Sequence, residues 1–413
     1  MERKRPELLI PAASLEVLKA AVNFGADAIY IGGEAFGLRA KSKNFTKAEM
    51  AEGIAFAHAA GRKVYVTANI LAHNGDLEGV EEYFHELKKI GPDALIISDP
   101  GVFAIAKKVC PEIDVHISTQ ANNTNFGTYY FWYGLGAKRV VSARELSIAE
   151  IKEIRRHIPD EMEIETFVHG AMCISYSGRC LLSSFLAGRD ANRGECTHPC
   201  RWKYALVEET RPGEYMPVEE NERGTYIFNS RDLCMIDHIP ELVDAGIDSF
   251  KVEGRMKTAL YVATVARAYR HAIDDFFEDP EKYREKLQWY KDEVGKCTHR
   301  TFTTGFFFGK PGSDAQIYDS STYVKDYTYF GFVDGCNEKG MYRLSQRNKF
   351  SFGDKLTAIR PDGTDLEFTV LSMEDETGAE MESCPHPKQI FYIRTDEVLR
   401  NGDIIRAYTP GKA

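Results

Sequence analysis

Between residues 7 and 276, short apolar runs alternate with amphipathic stretches eight times, and few folds accept that rhythm. The expected strands are ELLIPA, DAIYIGG, KVYVTANI, ALIISDP, DVHISTQ, RVVSARE, EIETFVHG and DSFKVEGR. Between them lie helical patterns such as SLEVLKAAVNFG, TKAEMAEGIAFAHAAG and LSIAEIKEIRRH, with Gly, Lys and Asp at the turns. Eight βα units in about 270 residues predict an α/β fold, a (β/α)8 TIM-like barrel. A doubly wound sheet is the alternative. No GxGxxG follows the first strand, however, and no phosphate-loop lysine motif is found.

At 413 residues the chain is longer than one such barrel needs. The pattern divides it into a barrel over 1–276, a charged helical linker over 277–324 and a small β-barrel over 325–413. The last has expected strands YFGFVDG, MYRLSQ, DKLTAIR, LEFTVLSM, QIFYIRT and DIIRAY. One βα unit is abnormal. After EIETFVHG, about sixty residues pass before the next helical pattern, RDLCMIDHIPELVDAG. This insertion, 171–230, includes an expected hairpin of KYALVEE with TYIFNS. Insertions of this kind sit at the C-terminal ends of barrel strands, where barrel active sites form.

Strand parity indicates which side chains enter the barrel. Inward sets are Tyr65, Thr67 and Asn69; His116, Ser118 and Gln120; Glu165, Phe167 and His169; and Lys251, Glu253 and Arg255, with Tyr30 in the same class. A purely structural barrel fills such positions with Val, Ile and Leu. Buried charge is costly unless paired, so these residues predict either a self-satisfied ion-pair network or a binding site.

The insertion also gathers four of the nine cysteines: Cys173, Cys180, Cys196 and Cys200, spaced C-x6-C-x15-C-x3-C. The start, MERKRPELLIPAAS, has too short an apolar stretch, broken by Pro11, for a signal peptide or a membrane span. A cytoplasmic protein with no membrane association is expected, in which clustered thiols signal metal or redox chemistry rather than disulfides. Structural zinc sites favour C-x2-C knuckles, absent here. Irregular spacing on a long loop suits an iron–sulfur cluster, and Gly178 and Gly194 would let backbone approach it. Cys234 is a candidate fifth ligand or a replacement for Cys200. A net charge of −10 argues against general polyanion binding. Local basic knots in CRWK, EGRMK and LSQRNK leave room for a nucleic-acid patch.

The segments ETFVHGAMCISYSGRCLLSS and FKVEGRMK, with STQANNTN, SARELS and CRWKY, resemble the signature of the collagenase-like peptidases of unclassified mechanism, family 32. The similarity runs from ELLIPAAS to the C-terminal β-barrel. Some members of that family are described as collagen-degrading. Others hydroxylate the wobble uridine of tRNA to 5-hydroxyuridine, carry an iron–sulfur cluster and depend on prephenate. Further relatives act in oxygen-independent ubiquinone hydroxylation with a four-iron cluster. In length and layout the chain is similar to the tRNA-hydroxylation branch. The resemblance implies a 4Fe-4S cluster on Cys173, Cys180 and Cys196, with Cys200 or Cys234 as the fourth ligand. It further implies prephenate as co-substrate, tRNA as partner, and room for a homo-oligomer or an assembly with a paralogue.

Candidate site residues follow. Glu165, His169 and Glu253 are candidate catalytic groups. Arg144, Lys251, Arg255 and Lys257 are candidate partners for a small dicarboxylate, and Gln120 for the substrate. A peptidase would need other chemistry, for which HExxH, GxSxG and a sequence-level triad are all absent. A Cys173–His169 pair, close if that turn were helical, or a water activated by Glu165, would be its routes. A non-catalytic iron–sulfur scaffold that binds RNA is the third alternative.

Overall fold

The computed structural model describes residues 4–34, 36, 44–173, 175–191, 195–201, 205–206, 216–217, 229–311, 316–317 and 323–410. They form two compact units. One comprises Met1–Val22, Ala26–Met256 and Arg300–Thr322; the other comprises Asn23–Gly25, Lys257–His299 and Tyr323–Ala413.

The first unit is a closed barrel of eight parallel strands. They are β1 (Glu7–Pro11), β2 (Ala28–Gly32), β3 (Lys63–Ala68), β4 (Ala94–Ile97), β5 (Asp114–Ile117), β6 (Arg139–Val141), β7 (Glu163–Ala171) and β8 (Ser249–Val252). Each pairs with the next, and β8 closes the ring on both sides, with Ser249 opposite Glu165 of β7 and Glu7 of β1. All eight expected strands are present. Their outward positions, such as Ile29, Ile31, Val64, Val66, Leu95 and Ile97, are fully buried, as the parity argument requires. Helices start where the sequence supplies caps. Thr46 and Glu49 form a capping box ahead of Lys47–Ala59, and Ser147 and Glu150 form one ahead of Ile148–His157. No described helix is long and apolar enough to cross a membrane.

The insertion and the segment that follows it each depart from expectation. Asp232–Cys234, expected at the start of a helix, is a strand. It runs antiparallel to the end of β7, with Leu233 opposite Gly170, and parallel to Phe302–Thr303. The helix begins only at Ile239–Asp244, where Pro240 occupies its first turn. β7 extends beyond β8, and its free edge takes the extra strand. The expected hairpin of 203–209 with 225–230 lies largely outside the described residues. Ala205–Leu206 pairs instead with Met216–Pro217, and Asn229–Ser230 with Gln316–Ile317. Of the cysteines outside the cluster, Cys110, Cys234, Cys297 and Cys384 are buried and Cys336 is exposed.

The second unit starts earlier than the sequence division. A continuous helix, Ala259–Glu278, is followed by Pro280–Glu285 and Leu287–Val294. The six strands expected at the C-terminus close a second barrel. They are β9 (Tyr327–Cys336), β10 (Tyr342–Ser345), β11 (Lys355–Ile359), β12 (Asp365–Asp375), β13 (Ile390–Thr395) and β14 (Ile404–Tyr408). The order is β9-β10-β13-β12-β11-β14, all antiparallel, with β14 back against β9. Val333, Leu344, Phe368, Val370, Phe391 and Ile405 fill its core.

A buried ion network ties this unit's helices to its barrel. Glu293 receives Arg267 and Arg406, the latter at 3.1 Å, and both arginines reach Asp365 at 2.9 Å. Burial alone would raise the Glu293 pKa, but the two guanidinium groups outweigh it and hold the value at about 2. The folded value lies below the ordinary 4.5, so the contribution is complete above about pH 4.5 and is lost as pH falls towards 2. About 3 kcal/mol should disappear over that window. Denaturant melts of the wild type are expected to weaken steeply between about pH 4.5 and 2, and those of Glu293→Gln, already weaker at pH 7, much less. Equal acid slopes would contradict this assignment.

Candidate functional site: a cysteine-lined cavity at the barrel mouth

The polar barrel interior separates into two layers. In the lower layer the guanidinium of Arg139 meets Glu7 at 2.6 Å, Glu163 at 2.7 Å and Glu165 at 3.0 Å. Tyr65 donates its hydroxyl to Glu7 at 2.7 Å and packs edge-on against His116. Burial, then the neighbouring Arg139 and Lys251, push the His116 pKa well below its usual value, so its imidazole is neutral. Lys251 donates to Glu165 at 2.7 Å and lies over the Tyr30 ring. Glu165 is completely buried, and both of its oxygens are occupied by cations.

Above this layer the barrel opens into a cavity of about 480 Å³. Thr67, Asn69, Ser118 and Gln120 form one wall, and Arg144, Phe167, Lys251, Glu253 and Arg255 another. Arg255 donates to Thr67 Oγ1 at 2.8 Å. The guanidinium of Arg144 lies 3.9 Å above the Phe167 ring, with Nη2 3.3 Å from Glu253 Oε2 and Nη1 3.8 Å from Cys173 Sγ. Gly170 permits this closeness of β7 and β8. Its φ is 103°, and a Cβ there would stand 2.4 Å from the Glu253 carbonyl oxygen.

Cys173, Cys180, Cys196 and Cys200 all line the same cavity. Gly178, with φ 73°, lies against Gln120, where a Cβ would come within 2.4 Å of Oε1, so this turn needs a glycine to seat on the wall. Gly194 lies outside the described residues. The backbone N–H of His198 donates to Cys196 Sγ at 3.4 Å. Among the described residues, no three His, Cys, Asp or Glu side chains are gathered as they would be around a single ion. The thiols are instead spread over several turns around one space. Four cysteines lining one space are a donor set of the type that an iron–sulfur cluster takes.

Other sequence candidates fall elsewhere. Glu165 lies beneath the cavity rather than in its wall. His169 was expected inward, but the pairing of β7 with β8 shifts after Lys251, leaving Val168 as the extra residue. His169 therefore faces Val252, away from the barrel axis, and its ring packs 5.5 Å from Phe302. β7 continues through His169 to Ala171, so that turn is not helical and a helical-turn Cys173–His169 pair does not form. Lys257 belongs to the second unit, where it donates to the Thr298 carbonyl. Cys234 is buried opposite His169 and does not line the cavity. Parity missed Tyr176 and His198, which are loop residues of the wall, although CTHPC flags His198 by its position between two cysteines. Arg139 was missed because its strand is only three residues long.

A closed parallel barrel with its polar cavity at the C-terminal ends of the strands has the layout of a TIM-barrel enzyme. The chain belongs to peptidase family U32: the family's model matches residues 13–317, and the model of its C-terminal domain matches 325–406. The chain is 40% identical over 404 residues to tRNA hydroxylation protein P1 of Bacillus subtilis, covering 98% of this chain and 95% of that protein. It is 38% identical to tRNA hydroxylation protein P of Escherichia coli, covering 92% of each. The 23S rRNA 5-hydroxycytidine C2501 synthase of E. coli is 34% identical over 78% of this chain and 48% of that protein.

Proposed function

We propose that this chain is an RNA-hydroxylating enzyme that converts the wobble uridine of tRNA to 5-hydroxyuridine, with a 4Fe-4S cluster on Cys173, Cys180, Cys196 and Cys200 and prephenate as co-substrate. The observation that carries the proposal is one cavity lined by all four thiols together with Arg144, Lys251 and Arg255. The relatives named for tRNA hydroxylation, similar along nearly the whole chain, support the substrate.

The residues divide the work by position. Arg255, braced by Thr67, and Lys251, braced by Glu165, give the carboxylates of a small dicarboxylate two fixed cations at the cavity floor. Asn69, Ser118 and Gln120 offer amide and hydroxyl groups to a polar ring on the facing wall. Phe167, Met172, Tyr176 and Met256 supply apolar surface that limits water. A cluster, when bound, would supply one-electron chemistry that needs no oxygen. In the second unit, half-buried Arg347 and exposed Lys349 follow β10 and offer positive charge to an RNA backbone.

The test is nucleoside analysis of tRNA from cells with and without this protein, in a strain free of paralogues and oxygen-dependent backups. 5-Hydroxyuridine and the nucleosides built on it are expected to vanish without the protein. Unchanged levels would reject the tRNA assignment.

A further inference from the structure

We infer that Arg144 is a positioning residue that raises the reduction potential of the metal centre held by the cysteines, by presenting a fixed N–H and a positive charge to Cys173 Sγ. The inference rests on the proposal that these cysteines hold an iron–sulfur cluster. Arg144 stands three residues beyond β6, with its side chain only 9% exposed. One face of the guanidinium is against Phe167 at 3.9 Å, Nη2 is taken by Glu253 at 3.3 Å, and Nη1 points at Cys173 Sγ at 3.8 Å. A side chain held on three sides is poorly placed to swing out and capture an anion. It is well placed to hold one N–H on one sulfur, because the planar fork fixes the direction of the second donor once the first is bound.

The sign of the effect follows from charge. One-electron reduction adds one negative charge to the irons and their sulfur ligands. A buried cation and an N–H donor at a ligand sulfur stabilise that extra charge, so the reduced form gains more than the oxidised form. Glu253 has the opposite charge and would partly offset the effect. Its contribution is to orient Nη1, which an unpaired arginine could not keep on the sulfur.

The experiment compares wild type, Arg144→Met and Arg144→Lys, each reconstituted anaerobically with iron and sulfide. Iron and sulfide are assayed first, and the midpoint potential is then read by dithionite titration. With equal iron and sulfide, Arg144→Met is expected to shift to lower potential, and Arg144→Lys, which keeps the charge but not the fork, to fall between. Equal potentials in wild type and Arg144→Met would overturn the inference. If Arg144→Met takes up no cluster, the lysine variant decides: a lowered potential supports the role and an unchanged one overturns it. A wild type that binds neither iron nor sulfide would instead reject the cluster itself, a separate failure.

Discussion

Anaerobically reconstituted wild-type protein is expected to be brown, and replacing Cys173, Cys180, Cys196 or Cys200 by serine to leave it nearly colourless. All four thiols line one cavity, and a cluster that loses one of its thiolate corners loses the ligand field that retains it. Acid-labile sulfide should fall with the iron in each variant. Cys234→Ala provides the control. That thiol is buried on the strand beside β7, away from the cavity wall, so the variant should keep its iron. Stoichiometric zinc without sulfide in the wild type would contradict the cluster, and iron loss in Cys234→Ala equal to that in Cys200→Ser would contradict the ligand set.

The second large effect is structural. Glu165 is enclosed by Lys251 at 2.7 Å and Arg139 at 3.0 Å, with no exposure to solvent. Removing one partner from such a set leaves buried charge uncompensated, which typically costs about 3–5 kcal/mol. Glu165→Gln should therefore lower the melting temperature by on the order of 10 °C. Activity should fall through Lys251, whose ammonium loses its brace. Were Glu165 instead a catalytic base, the same substitution would abolish turnover and leave the melting temperature nearly unchanged. Calorimetry and turnover on one variant thus separate the two roles.

Much of the fold was legible because alternation is a local signal. Gly or Asp turns bound most strands of both barrels, and outward positions such as Ile29 and Val64 are apolar for packing alone. Signals that depend on pairing were not legible. The side of the strand that His169 faces is set by an extra residue opposite β8, and a strand's own sequence does not reveal its partner's register. Asp232–Cys234 likewise becomes a strand because β7 outruns β8 and offers an edge. In the site, inward polarity identified Lys251, Glu253, Arg255 and Gln120, which do line the cavity. Parity gave no hint that the interior would divide into an ionic layer that buries Glu165 and an open one above it. That division depends on Arg139 bridging three carboxylates from two strands, Glu7 of β1 and Glu163 and Glu165 of β7. The clasp of Arg144 by Phe167 and Glu253 joins residues far apart in sequence and follows only from barrel closure.

The most direct measurement is the 5-hydroxyuridine content of tRNA in a strain lacking this protein and every backup route, complemented with either wild type or Cys180→Ala at matched expression. The wild-type allele should restore 5-hydroxyuridine and the nucleosides built on it, and Cys180→Ala should restore none. Equal 5-hydroxyuridine from the two alleles would contradict a reaction that depends on the cysteine-lined cavity.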